Sequence, residues 1–131
     1  MALGVFLVWP GQGAEDGELV TLIEWHLPPY VYLEQFWPPT SSTGRLINPL
    51  GETSFSGPNL PQLSAALQRA ATAIQARPRN WSETVGSRSA KGHRSAHLKL
   101  KKAEVKAMIE ILSAAVHEAE ASGRALLFSG D

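Results

Sequence analysis

The chain has 131 residues, with 12 basic and 12 acidic side chains, no cysteine, 44% hydrophobic and 18% charged residues. That length predicts one domain, residues 1–131, with a core large enough to need no disulfide or metal staple. The composition excludes a disordered chain, and the missing cysteines exclude disulfides, thiolate zinc sites and thiol nucleophiles.

Residues 3–9, LGVFLVW, read as a buried strand that stops at Pro10-Gly11. No basic residue precedes this run, so no secretory signal is expected. No run approaches the roughly 18 apolar residues of a membrane span. A cytoplasmic location is the expectation. A glycine-rich turn follows. Residues 18–27 then read as a second strand, rich in β-formers. Pro28-Pro29 interrupts the ladder, and residues 30–37 are aromatic and β-branched. These features predict a hairpin turning at the prolines, with Glu24 opposite Glu34 and His26 opposite Tyr32.

Residues 37–59 show no helical or strand period, though Leu46, Ile47, Leu50 and Phe55 are scattered through them. A loop that long is a functional element or a disordered one, and its apolar residues favour packing. A helix is expected next. Asn59 is placed to cap it, Pro61 sits in its first turn, and Gln62 completes an Asn-x-x-Gln capping box. Leu60, Leu63, Leu67 and Ile74 follow helical spacing, and Pro78 ends the run.

Residues 80–86 read as a short strand, 87–96 (SRSAKGHRSA) as an exposed loop, and 97–100 as a strand end. A second helix is expected over 102–122. Val105, Met108, Ile109, Leu112, Val116 and Ala119 form its stripe, and Gly123 is its stop. Residues 124–129 close the chain as a strand. The order predicts an α+β fold: an antiparallel or mixed sheet of four to five strands with two helices on one face.

Chemistry is thinly signalled. Glu24, His26 and Glu34 are the one acid–base cluster the expected hairpin brings together. Paired carboxylates with an imidazole suit proton transfer or a divalent metal, as in a small hydrolase. The competing reading, a wet sheet face, is the stronger one. His93, His97 and His117 lack metal-ligand spacing. No Gly-x-Ser-x-Gly elbow occurs. Ser56, Gly57 and Asn59 suit a helix start better than an anion site.

Charge is the clearer signal. Residues 1–60 hold one basic against six acidic residues, a net −5, and residues 61–131 hold eleven against six, a net +5. Between Arg69 and Lys106, ten basic residues face only Glu83 and Glu104, a net +8. Such a run suits phosphates or an acidic protein surface. With Trp81 as the one aromatic there, and zero net charge overall, nucleic acid is disfavoured.

The leading expectation is therefore a non-enzymatic interaction protein of adaptor, regulatory or immunity-like kind. It would bind another protein, acidic in character, or a second copy as a homodimer, with no cofactor, metal or membrane. The expected contact residues are the aromatics Tyr30, Tyr32, Phe36, Trp37 and Phe55 and the cations Arg45, Arg88, Arg94, Lys99 and Lys102, since aromatics and arginine anchor interfaces.

Overall fold

The computed structural model describes residues 2–37, 51–89 and 92–130, with side chains described outside 86–96. Among the described residues, six strands and three helices form an α+β arrangement. Strands β1 (Leu3–Val8), β2 (Glu18–Ile23), β3 (Glu52–Phe55) and β6 (Ala125–Gly130) form an antiparallel sheet of order β2-β1-β6-β3. Strands β4 (Asn80–Ser89) and β5 (Gly92–Lys101) form a separate antiparallel hairpin. The helices are α1 (Pro28–Glu34), α2 (Asn59–Gln75) and α3 (Lys102–Ser122), and α2 packs on α3.

One face of the four-stranded sheet, carrying Leu3, Val5, Ile23, Leu126 and Phe128, joins the buried stripes of α2 and α3 in the main core. The stripes match the expected ones: Leu60, Leu63, Leu67 and Ile74 on α2, and Val105, Ile109, Leu112, Val116 and Ala119 on α3, are buried, and Met108 is half-buried against the core. The opposite face carries a small second cluster of Val8, Ala125 and Leu127, with Phe6 and Ala14 packed against it. The 3-10 turn Ala14–Asp16 lies between β1 and β2.

Four expectations are corrected. The hairpin at Pro28-Pro29 does not form; residues 28–34 are α1 instead. Proline has no N–H to lose in the first helical turn and its φ is already helical, so the pair starts a helix rather than turning a strand. Leu27, extended at −83°/153°, is the N-cap. Second, β3 lies inside the expected loop. It pairs with β6 from Glu52↔Ser129 to Phe55↔Leu126, while residues 38–50 lie outside the described residues. Third, residues 87–89 and 92–96 of the expected loop belong to the β4–β5 ladder, which pairs from Asn80↔Lys101 to Ser89↔Gly92, while residues 90–91 lie outside the described residues. Cross-strand hydrogen bonds hold a Gly/Ser-rich sequence that has no apolar alternation of its own.

Fourth, the Asn59 capping box is absent. Asn59 is the first residue of α2, Pro58 is its N-cap, and no side chain caps it. Backbone turns replace it: Asn59 N donates to Ser56 O and Leu60 N to Gly57 O, with Gly57 at φ +52°. The end of α3 matches expectation. Gly123 adopts φ +76°, and the Arg124 amide donates to Ala119 O at 3.0 Å.

Candidate functional site

The β4–β5 register sorts the base of the hairpin into two faces. Trp81, Val85, Leu98 and Leu100 are buried in the main core. Alternate residues must face the other way. The pairs Asn80↔Lys101, Ser82↔Lys99 and Thr84↔His97 therefore share the outer face, and all six are exposed. Thr84 Oγ1 and His97 Nδ1 lie 3.3 Å apart. A shallow depression of about 280 Å³ opens between Asn80, Ser82, Lys99 and Lys101. That outer face carries two lysines and no carboxylate.

The one carboxylate of the hairpin base, Glu83, is held on the inner side. It accepts from Trp81 Nε1 at 2.9 Å and pairs with Arg77 Nη2 at 3.0 Å, while the Arg77 guanidinium stands 5.9 Å from the Trp81 ring centroid. Arg77 thereby neutralises Glu83 and leaves the outer lysines without an opposing charge from their own hairpin base.

The expected contact residues fall into three groups. Tyr30, Tyr32, Trp37 and Phe55 are buried in the core and present almost no surface. Tyr32 stacks edge-on against Trp81 and Phe36, and Phe55 against Phe128. Phe36 is half-buried, and its carbonyl accepts from Arg69 Nη2 at 3.2 Å. Lys102 is engaged internally: its Nζ donates to Gln75 O and Arg77 O, both at 3.1 Å. Lys99 remains on the exposed face. Arg45 and the side chains of Arg88 and Arg94 lie outside the described residues.

Glu24, His26 and Glu34 do not share a strand pair. Glu24 and His26 follow β2, 3.8 Å apart and about half exposed. Glu34 closes α1, where burial pushes its carboxyl up to about 7. Burial, then the Glu34 carboxylate, hold the neighbouring Tyr30 phenol well above its ordinary value. Burial also raises Tyr32, with Glu83 adding to the rise and Arg77 opposing it. None of Glu24, His26 or Glu34 lines that depression, and no group of three or more His, Asp or Glu among the described residues could hold a metal ion.

Two features had no sequence signal strong enough to single them out. Arg124 sits between Glu18 of β2 (2.9 Å) and Glu118 of α3 (3.3 Å), with its guanidinium 5.8 Å from the Trp9 ring centroid. Along the edge of β2 that no described strand pairs with, Leu19, Leu22 and Ile111 are 51%, 63% and 45% exposed. No helix among the described residues is long and apolar enough to cross a membrane. Comparison with family models, with curated proteins and with solved structures yields no match, so the reading of this site rests on its own chemistry.

Proposed function

We propose that the chain is a non-enzymatic interaction protein that docks an acidic partner protein on the outer face of the β4–β5 hairpin. The observation that supports this reading is the pairing of Lys99 with Ser82 and Lys101 with Asn80 on one exposed, carboxylate-free face. Cations at such a rim steer association with a negative surface. The inner face supplies rigidity, because Trp81, Leu98 and Leu100 anchor the same strands in the core. The cytoplasm, a reducing compartment, suits a chain without cysteine. A second copy of the chain, through its acidic first sixty residues, is the self-association form of the same reading.

The test uses two polyanions of different class, poly-L-glutamate and duplex DNA, at matched charge and ionic strength. Binding to poly-L-glutamate as tight as or tighter than to DNA supports a protein partner. A clear preference for DNA supports nucleic acid instead, and binding to neither removes the reading. The buried state of Trp81 withholds its indole from stacking with a nucleobase.

A further inference from the structure

A second surface, unpartnered among the described residues, is apolar along its length and negative at its ends. In the sheet order, β2 is an edge strand. Residues Leu19–Ile23 carry no charge and no proline, two of the devices by which edge strands avoid pairing, and keep a third, a bulge. Gly4 pairs with Leu22, Val5 with Thr21 and Phe6 with Leu19, so Val20 is a bulge residue. The bulge puts Leu19 and Leu22 on the same outer face, beside Phe6. On the inner face, Thr21 and Ile23 line a groove of about 210 Å³ with Met108, Ile111 and Leu112 of α3. A strand laid along this edge would find apolar side chains on both of its faces.

The ends of the edge are negative. Glu104 lines the groove beside Ile23. At the far end Glu18 and Glu118 share the single guanidinium of Arg124, leaving one net negative charge. This pattern selects among occupants. A two-fold pairing of β2 with the β2 of a second copy is antiparallel, so each Glu18 end would meet the Ile23 end of the other copy, where Glu104 stands. Carboxylate would face carboxylate at both ends, an arrangement that costs affinity. A strand with a cation at each end meets no such repulsion.

We propose that the β2 edge is a strand-addition site for an extended partner segment that is apolar at alternate positions and lysine- or arginine-terminated. Main-chain hydrogen bonds to β2 would supply binding, and the groove and the two acidic ends would supply selection. Six residues of β2 span about 20 Å, so the two cations belong about six residues apart.

The test titrates the full chain with two synthetic heptapeptides of alternating valine and threonine, one lysine-terminated and one glutamate-terminated, and reads amide hydrogen exchange. The expected result is protection confined to β2 amides by the lysine-terminated peptide, with affinity about tenfold above that of the other peptide at low salt. Glu104→Lys should erase that preference and Glu104→Gln should halve it or more, both with unchanged circular dichroism. Equal binding of the two peptides, protection elsewhere, or no protection by either overturns the proposal. Protection of β2 that grows with protein concentration alone also overturns it, and makes a second copy the occupant.

Discussion

Lys102 Nζ donates to the carbonyl of Gln75, the last residue of α2, at 3.1 Å, and to Arg77 O at the same distance. The first residue of α3 thus closes the C-terminus of α2, whose final carbonyls have no intrahelical donors. A cation there also meets the negative end of the helix dipole. The Lys102 amide adds a third tie, donating to Arg79 O at 2.9 Å. Lys102→Ala should therefore cost about 1 kcal/mol by urea denaturation. Lys99→Ala, on the same basic stretch but exposed, should change stability by less than about 0.5 kcal/mol. Equal effects of the two substitutions would deny Lys102 its capping role.

Leu67 and Leu112 are each 1% exposed, at the centres of the α2 and α3 stripes. Truncation of either to alanine should cost roughly 2–5 kcal/mol. A loss below about 0.5 kcal/mol, the range of surface sites, would place the wrong faces inside.

Arg124 joins the start of β2 to the end of α3, and its side chain is only 16% exposed. Its Nε also donates to Ser122 Oγ at 3.0 Å. Arg124→Ala removes hydrogen bonds to two carboxylates and should cost about 1–3 kcal/mol. Arg124→Lys should recover only part of that, because an ammonium cannot reproduce the planar fork. Full recovery would show that charge alone matters.

Glu34 gives a pH signature. Its folded pKa, about 7, lies above the ordinary carboxylate value because burial favours the neutral form. The folded state then binds more protons than the unfolded state between the two values, so stability falls as pH rises through this window. The contribution is complete below the unfolded pKa and lost by about pH 7. Glu34→Gln should flatten the stability profile between pH 5 and 7 and leave the variant the more stable form at pH 8. A wild-type profile that rises across that window, with no difference from the variant, would contradict the assignment.

The helices α2 and α3 were legible because their stripes repeat at 3.6 residues and Gly123 marks an end. Helix α1 was missed because aromatic and β-branched content suggested a strand, although Tyr30 and Leu33 sit at helical spacing after Pro28-Pro29 and both are buried. Strand β3 was hidden because four residues cannot declare a period. Its alternation, exposed Glu52 and Ser54 against buried Phe55, acquires meaning only from pairing with β6. The hairpin was missed where its register, rather than its composition, makes the strand. At the candidate site, the basic character of the stretch was visible from charge alone. That Lys99 shares an outer face with Lys101 while Lys102 turns inward is fixed by the strand-to-helix junction, which no spacing rule reports.

The central claim, docking on the outer face of the hairpin, is tested most directly by the association rate onto immobilised poly-L-glutamate. The account predicts that Lys99→Glu with Lys101→Glu slows association by about tenfold or more and flattens its salt dependence, with circular dichroism unchanged. The matching reversal Glu110→Lys with Glu120→Lys, at exposed positions of α3, should not slow it. An association rate and salt dependence unaltered by the lysine reversal would contradict the account.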